Sequence, residues 1–225
     1  MKAFKIRCSA IGKIMTNPRT KGESLSATAK THVQERYLEL EYGIYKEFWS
    51  RYTDKGNILE DEAILMCESL WEGMFLEKNE LKFSNDYLTG VPDVITDEFI
   101  IDTKCSYSAH TFPFFDSELP NKDYFYQMQG YMELTGKTDA YIVYCLINTP
   151  EEIVQDEIRR ESWKRKEISI SEEVEEFVRA AHTFDNIPKE RRIKVFHVQK
   201  DEAVIEQIYQ RIELCREYYL TLHEK

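Results

Sequence analysis

The chain has 225 residues, 42% hydrophobic, 13% aromatic and 32% charged, with 8 Gly and 6 Pro, which excludes disordered and collagen-like chains and predicts one ordered domain over 1–225 with a helical N-terminal segment and a C-terminal helix. Its 30 Lys and Arg against 41 Asp and Glu give a net charge of −11, the wrong global sign for a protein that coats nucleic acid, so DNA contact must run through local basic patches or a bound cation. No apolar run reaches membrane-spanning length and the N-terminus has no signal-peptide pattern, so a cytoplasmic address is expected.

In chain order, Ile11, Ile14 and Met15 predict a short helix over 9–15, followed by a polar loop, NPRTKGES. A longer helix is predicted over 27–42, with Val33, Tyr37, Leu40 and Tyr42 inward. The strongest N-terminal helix spans 57–75, where Ala63, Ile64, Cys67, Trp71 and Met74 form a stripe of period 3.6. From Leu81 to Cys105 the runs LKFSND, YLTGVPDVI and FIIDTKC, separated by Asn85-Asp86 and Asp97-Glu98, predict an antiparallel meander. A helix over 123–134 ended by Gly136, the buried strand AYIVYCLI, helices over 151–166 and 171–182, the strand RIKVFHV and an amphipathic helix from Asp201 complete the order. The economical fold is an α/β sandwich with a mixed central sheet flanked by helices.

The cysteines at 8, 67, 105, 145 and 215 stand dozens of residues apart, and the five histidines form no HExxH. Neither a disulfide framework nor a sulfur- or histidine-bound metal is indicated. Carboxylates carry the chemical signal instead. Alternation in FIIDTKC puts Asp102 and Lys104 on one strand face with Ile100, opposite Phe99, Ile101, Thr103 and Cys105. Gly90-Val91-Pro92-Asp93 adds an acid beside a proline-interrupted, bulge-prone segment.

Glu60 shares the inward stripe of its helix, whereas Asp61 leads to a charged face through Glu68 and Glu72, and Glu62 on the flank is the alternative acid. An inward carboxylate needs a partner. Oxygen-only, carboxylate-rich ligands suit Mg²⁺ or Mn²⁺, and three clustered acids repel one another without a cation. The reaction class implied is metal-dependent phosphodiester hydrolysis, with a lysine to orient or deprotonate water.

Pro92-Asp93, eight residues, then Asp102-Thr103-Lys104 resembles the PD-(D/E)XK nuclease motif. Three further segments resemble the phage lambda exonuclease or YqaJ-like branch: CSAIGKIM around Ser9, Gly56-x-x-x-Glu60-x-x-Ala63, and Tyr126-Gln127-Met128-Gln129. The resemblance implies a restriction-endonuclease-like core and a Mg²⁺-dependent exonuclease of linear duplex DNA, 5′ to 3′, exposing strands for recombination by annealing. It implies Asp93, Asp102 and the Thr103 carbonyl as metal ligands, Glu60 on a second ion or its water shell, Lys104 positioning water, and Gln127 orienting Lys104 or the scissile phosphate. A single-strand annealing protein and a ring-like trimer are implied partners.

Ser9 matches a residue that holds the terminal 5′-phosphate, but no arginine matches upstream, only Arg7, Lys5 and Lys2. With Lys13, Arg19 and Lys21 these form a basic run little diluted by acids, a track for the DNA backbone, with Tyr131 also on the DNA side. The aromatic segment 110–115 is either a base-stacking loop or packing. The basic clusters at 159–166 and 189–194 are interrupted by acids and read as solvated faces. The alternatives are a RecB-like or CRISPR-associated nuclease of the same fold, whose iron–sulfur variety the cysteine spacing disfavours, and an inactive DNA-binding module.

Overall fold

In the computed structural model, which describes residues 4–46, 50–71 and 73–224, the chain runs through β1 (Ile6–Arg7), a 3-10 turn and α1 (Ile11–Ile14), α2 (Ala27–Tyr42) and α3 (Arg51–Cys67). The short strands β2 (Phe83–Ser84), β3 (Leu88–Gly90) and β4 (Val94–Ile95) precede β5 (Phe99–Cys105), α4 (Lys122–Thr135) and β6 (Asp139–Cys145). The chain closes with α5 (Glu151–Lys164), α6 (Glu172–His182), β7 (Ile193–Gln199) and α7 (Glu202–Thr221). Lys2 and Glu72 lie outside the described residues.

Sequence explains the helix ends. Ser26 accepts a hydrogen bond from the Ala29 N–H at the start of α2, and Gly43, at φ 68°, ends it in the left-handed region that a side chain disfavours. The third helix begins at Arg51 rather than at 57, because its buried stripe starts with the apolar stem of Lys55 and continues through Leu59, Ala63 and Cys67. It stops at Cys67 instead of 75. The Glu68 side chain accepts from the Leu76 N–H and Gly73 turns the chain at φ 81°, so Met74 falls outside the helix.

The expected mixed central sheet is present as the larger of two sheets, and the strands expected to form one continuous meander are divided between them. The smaller has the order β1-β3-β2 and the larger β4-β5-β6-β7. The break falls at Pro92, which has no N–H to extend a ladder, and there the Pro92 and Asp93 carbonyls accept from Asn79 instead. In the larger sheet β5 and β6 are parallel, with Asp102 opposite Ile142, and β4 and β7 are antiparallel edges. One face buries Ile100, Ala140, Ile142 and Phe196 with α1, α2, α4 and α7; the other buries Phe99, Ile101, Val143 and Cys145 under α3. Among the described residues no helix is long and apolar enough to cross a membrane.

The N-terminal 3-10 turn and α1 close on α4 through glycines. A Cβ at Gly130 would lie 2.5 Å from the Ile11 methyl and 2.9 Å from the Cys8 sulfur, and one at Gly12 would lie 2.8 Å from the Cβ of Asp123. Rotation cannot move that last atom away. Gly12→Ala is therefore expected to destabilise the fold by roughly 1–3 kcal/mol despite the better helix propensity of alanine, read as a lower urea midpoint; an unchanged or higher midpoint would show that the two helices are not in this contact.

Candidate active site

The pleat of β5 performs the sorting expected of it. Ile101 and Phe99 enter the smaller core, while Asp102 and Lys104 turn with Ile100 to the opposite face, near the carboxyl end of the strand. There they line a cavity of about 680 Å³ that Ser9, Glu60, Asp93, Thr103, Gln127 and Tyr131 also line. Residues as distant in sequence as Ser9 and Tyr131, 122 positions apart, converge on it.

Two carboxylates form its floor. Asp102 is 1% exposed; its Oδ1 accepts from the Gln127 Nε2 at 3.0 Å, and its Oδ2 pairs with the Lys104 ammonium. The same Gln127 nitrogen donates to the Tyr131 hydroxyl at 3.0 Å. Asp93, one strand over, accepts through Oδ2 from the Thr103 N–H at 2.7 Å and the Thr103 hydroxyl at 2.8 Å. Glu60 reaches the wall from α3, and Lys78 lies 3.3 Å from its Oε2. Glu62 is exposed and lines a different cavity, so of the two acids it is Glu60 that lines this one.

Burial pushes the Asp102 carboxyl up to about 7, with the Lys104 charge working against that rise and the Asp93 charge with it. Burial alone would lower Lys104; the Asp102 and Asp93 carboxylates outweigh it and hold its ammonium above the ordinary lysine value. The Lys104 nitrogen also stands 4.7 Å from the centre of the Tyr124 ring.

Among the described residues no three His, Cys, Asp or Glu side chains are drawn tightly enough together to hold an ion. The set is a close carboxylate pair with Glu60 standing off on Lys78. It nevertheless suits a hard divalent cation: the donors are oxygens, and Asp102 Oδ2, buried and paired with the Lys104 ammonium, already sits in a place that demands positive charge.

The remaining expected residues divide. Ser9 is exposed and lines both this cavity and a neighbouring one of about 340 Å³, to which Arg7, Lys82, Thr89 and Tyr131 contribute. Arg7 is ion-paired to Glu39 at 2.7 Å and Lys5 donates to the Ser84 hydroxyl. Lys13, Arg19 and Lys21 are exposed, make no ion pair among the described residues, and do not line the cavity. Tyr131, expected on the DNA side, is 5% exposed and packed in the larger core, because it faces the Cβ-less Gly90 and anchors Gln127. In the aromatic segment Phe112 is packed and Phe115 is exposed. Arg159, Lys164 and Arg165 are paired with acids.

Lys55 was missed. It is fully buried, and its ammonium donates to the Ser106 and Tyr107 carbonyls at 2.9 and 3.3 Å, tying α3 to the end of β5; burial lowers its pKa to about 8. Its phase, four residues before Leu59 and eight before Ala63, was the available signal. Lys78 and Asn79 carried no local signal.

No protein-family model and no curated protein sequence matches the chain. Solved structures do. A phage-related exonuclease from Haemophilus somnus 129PT shares 30% identity at a TM-score of 0.82, over 99% of this chain and 96% of that one. An alkaline exonuclease from Laribacter hongkongensis, LHK-Exo, has 15% identity and a TM-score of 0.68 over 98% and 90% of the two chains. The same exonuclease in complex with dAMP matches at 16% and 0.68.

Gln127→Glu places a third carboxylate against Asp102. The pair must then share a proton, which raises its folded-state pKa above the unfolded values, so stability is retained at low pH and lost as pH rises through the raised value. The expected loss is roughly 2 kcal/mol at pH 8 and much less at pH 5, measured from urea midpoints at both. Equal losses would mean that Gln127 does not face an ionisable carboxylate.

Proposed function

Because the chain belongs to the phage-related exonucleases, in the YqaJ and lambda exonuclease branch of the PD-(D/E)XK fold, we propose that it is a Mg²⁺-dependent exonuclease acting 5′ to 3′ on linear duplex DNA in the cytoplasm of a bacterial or phage-infected cell. The observation that carries the reading is the bracketing of the buried Asp102 carboxylate by Lys104 and Gln127, beside Asp93 and in one open cavity.

Asp93, Asp102 and the Thr103 carbonyl would hold Mg²⁺, or Mn²⁺ in its place, and Glu60 would serve a second ion or its water shell. A cation bound there would neutralise charge at the scissile phosphate and lower the pKa of water. Lys104, with three N–H donors and the Tyr124 face behind it, positions the attacking water. Gln127 donates its amide to Asp102 Oδ1, which fixes the carboxylate plane while Lys104 engages Oδ2. The Thr103 N–H and hydroxyl fix Asp93 in the same way.

The adjoining cavity would receive the strand end. Ser9, Thr89, Arg7 and Lys82 offer hydroxyls and cations suited to a terminal 5′-phosphate, and Ser9 and Tyr131 belong to both cavities. Lys13, Arg19 and Lys21 would follow the duplex backbone outside. The single strand left behind would pass to an annealing protein, and a ring of copies would keep the enzyme on its track.

Mg²⁺-dependent cleavage of linear duplex, abolished by EDTA, is expected to fall at least ~100-fold in Lys104→Ala and in Asp102→Asn with the circular dichroism spectrum retained. A folded variant with near-native turnover would remove that residue from the chemistry. Duplex with 5′-phosphate ends is expected to be digested faster than 5′-hydroxyl duplex, with the preference reduced in Ser9→Ala; equal rates on both ends, unaffected by the substitution, would return Ser9 to a structural role and leave polarity open.

A further inference from the structure

One short segment grips two of the three acid-bearing elements of the site, the Pro92-Asp93 turn and α3. The backbone of Lys78 bridges to Val94, the Asn79 N–H donates to the Asp93 carbonyl at 2.7 Å, and the Asn79 amide donates to the Pro92 carbonyl at 2.9 Å. From this anchor the Lys78 side chain crosses to α3. There its ammonium donates a hydrogen bond to Asp61 Oδ1 at 2.9 Å and stands 3.3 Å from Glu60 Oε2 as a charge contact.

The two partners differ in what it costs to let them go. The Asp61 side chain is 82% exposed and carries the shorter contact, 2.9 Å, whereas Glu60 is 28% exposed, lines the cavity and is held at 3.3 Å. If Glu60 turns toward a dication, Lys78 keeps its hydrogen bond to Asp61 and loses only a solvent-screened attraction. We infer that Lys78 is a positioning residue that keeps Glu60 in reserve, competing with a divalent cation for this carboxylate and yielding it while remaining anchored on Asp61. The inference rests on the cation reading given under Proposed function. It explains why the third acid stands apart from the Asp93 and Asp102 pair in a cavity that it lines.

Calorimetric titration of Mn²⁺ into the full chain, without DNA, tests this directly. Lys78→Met removes the competitor and is expected to tighten Mn²⁺ binding roughly threefold to tenfold, while Lys78→Arg, which keeps charge and reach, stays near the native affinity. In a Glu60→Gln background Lys78→Met is expected to change nothing, because the coupling runs through that carboxylate. Unchanged or weaker binding in Lys78→Met would overturn the inference, as would an equal gain in both backgrounds, which would reduce Lys78 to a general surface charge. A native chain that binds no Mn²⁺ would instead overturn the cation reading and take this inference with it.

Discussion

The demand of a carboxylate buried on the face of a central strand organises this molecule. Asp102 is almost without solvent, and a buried charge costs several kcal/mol unless other groups meet it. Lys104 meets it from two residues along the same strand, which alternation guarantees. Gln127 meets it from the helix that crosses between β5 and β6, and this second partner is useful only if the helix is held close. The glycines at positions 12 and 130, which let α1 and the preceding 3-10 turn press against α4, therefore belong to the electrostatics of Asp102 as much as to packing.

The position of the cavity follows from topology. Strands β5 and β6 run parallel and their carboxyl ends open to the same side, where loops can diverge and leave a crevice. The two faces of the sheet then supply different walls. The α4 face brings Gln127, Tyr124 and Tyr131, and the α3 face brings Glu60 around the end of β5. Lys55 and the segment at Lys78 and Asn79 tie α3 to β5 and to the Pro92-Asp93 turn respectively, so the walls are braced from behind and from the side.

What could be read from sequence was what depends on neighbours in sequence. The alternation in FIIDTKC sorted Asp102 from Ile101 correctly because the pleat is a local property, and Ser26 and Gly43 bounded α2 because caps are chemical. The stripe through Ala63 placed Glu60 on the cavity side of α3. The start of that helix was misplaced because a lysine at position 55 looks polar even where its stem fills a core position. Strands of two residues, such as Ile6–Arg7, carry too little pattern to be seen. The split into two sheets depended on Asn79 reaching Pro92, thirteen residues away, and nothing local marks an asparagine for that task. The packing of Tyr131 was equally invisible: its ring sits opposite Gly90 while it still lines the cavity, and no local pattern announces that contact.

The seal around Lys55 also makes the chain its own recorder of opening. A primary amine with no exposed surface is beyond the reach of acylating reagents, and two carbonyl acceptors hold this one in place. Only when α3 lifts from the end of β5 does that amine meet the solvent. Modification of Lys55, followed peptide by peptide against the exposed lysines at 13 and 21, would therefore report the free energy of parting α3 from the sheet, and a cavity whose wall is α3 inherits its rigidity from the same quantity.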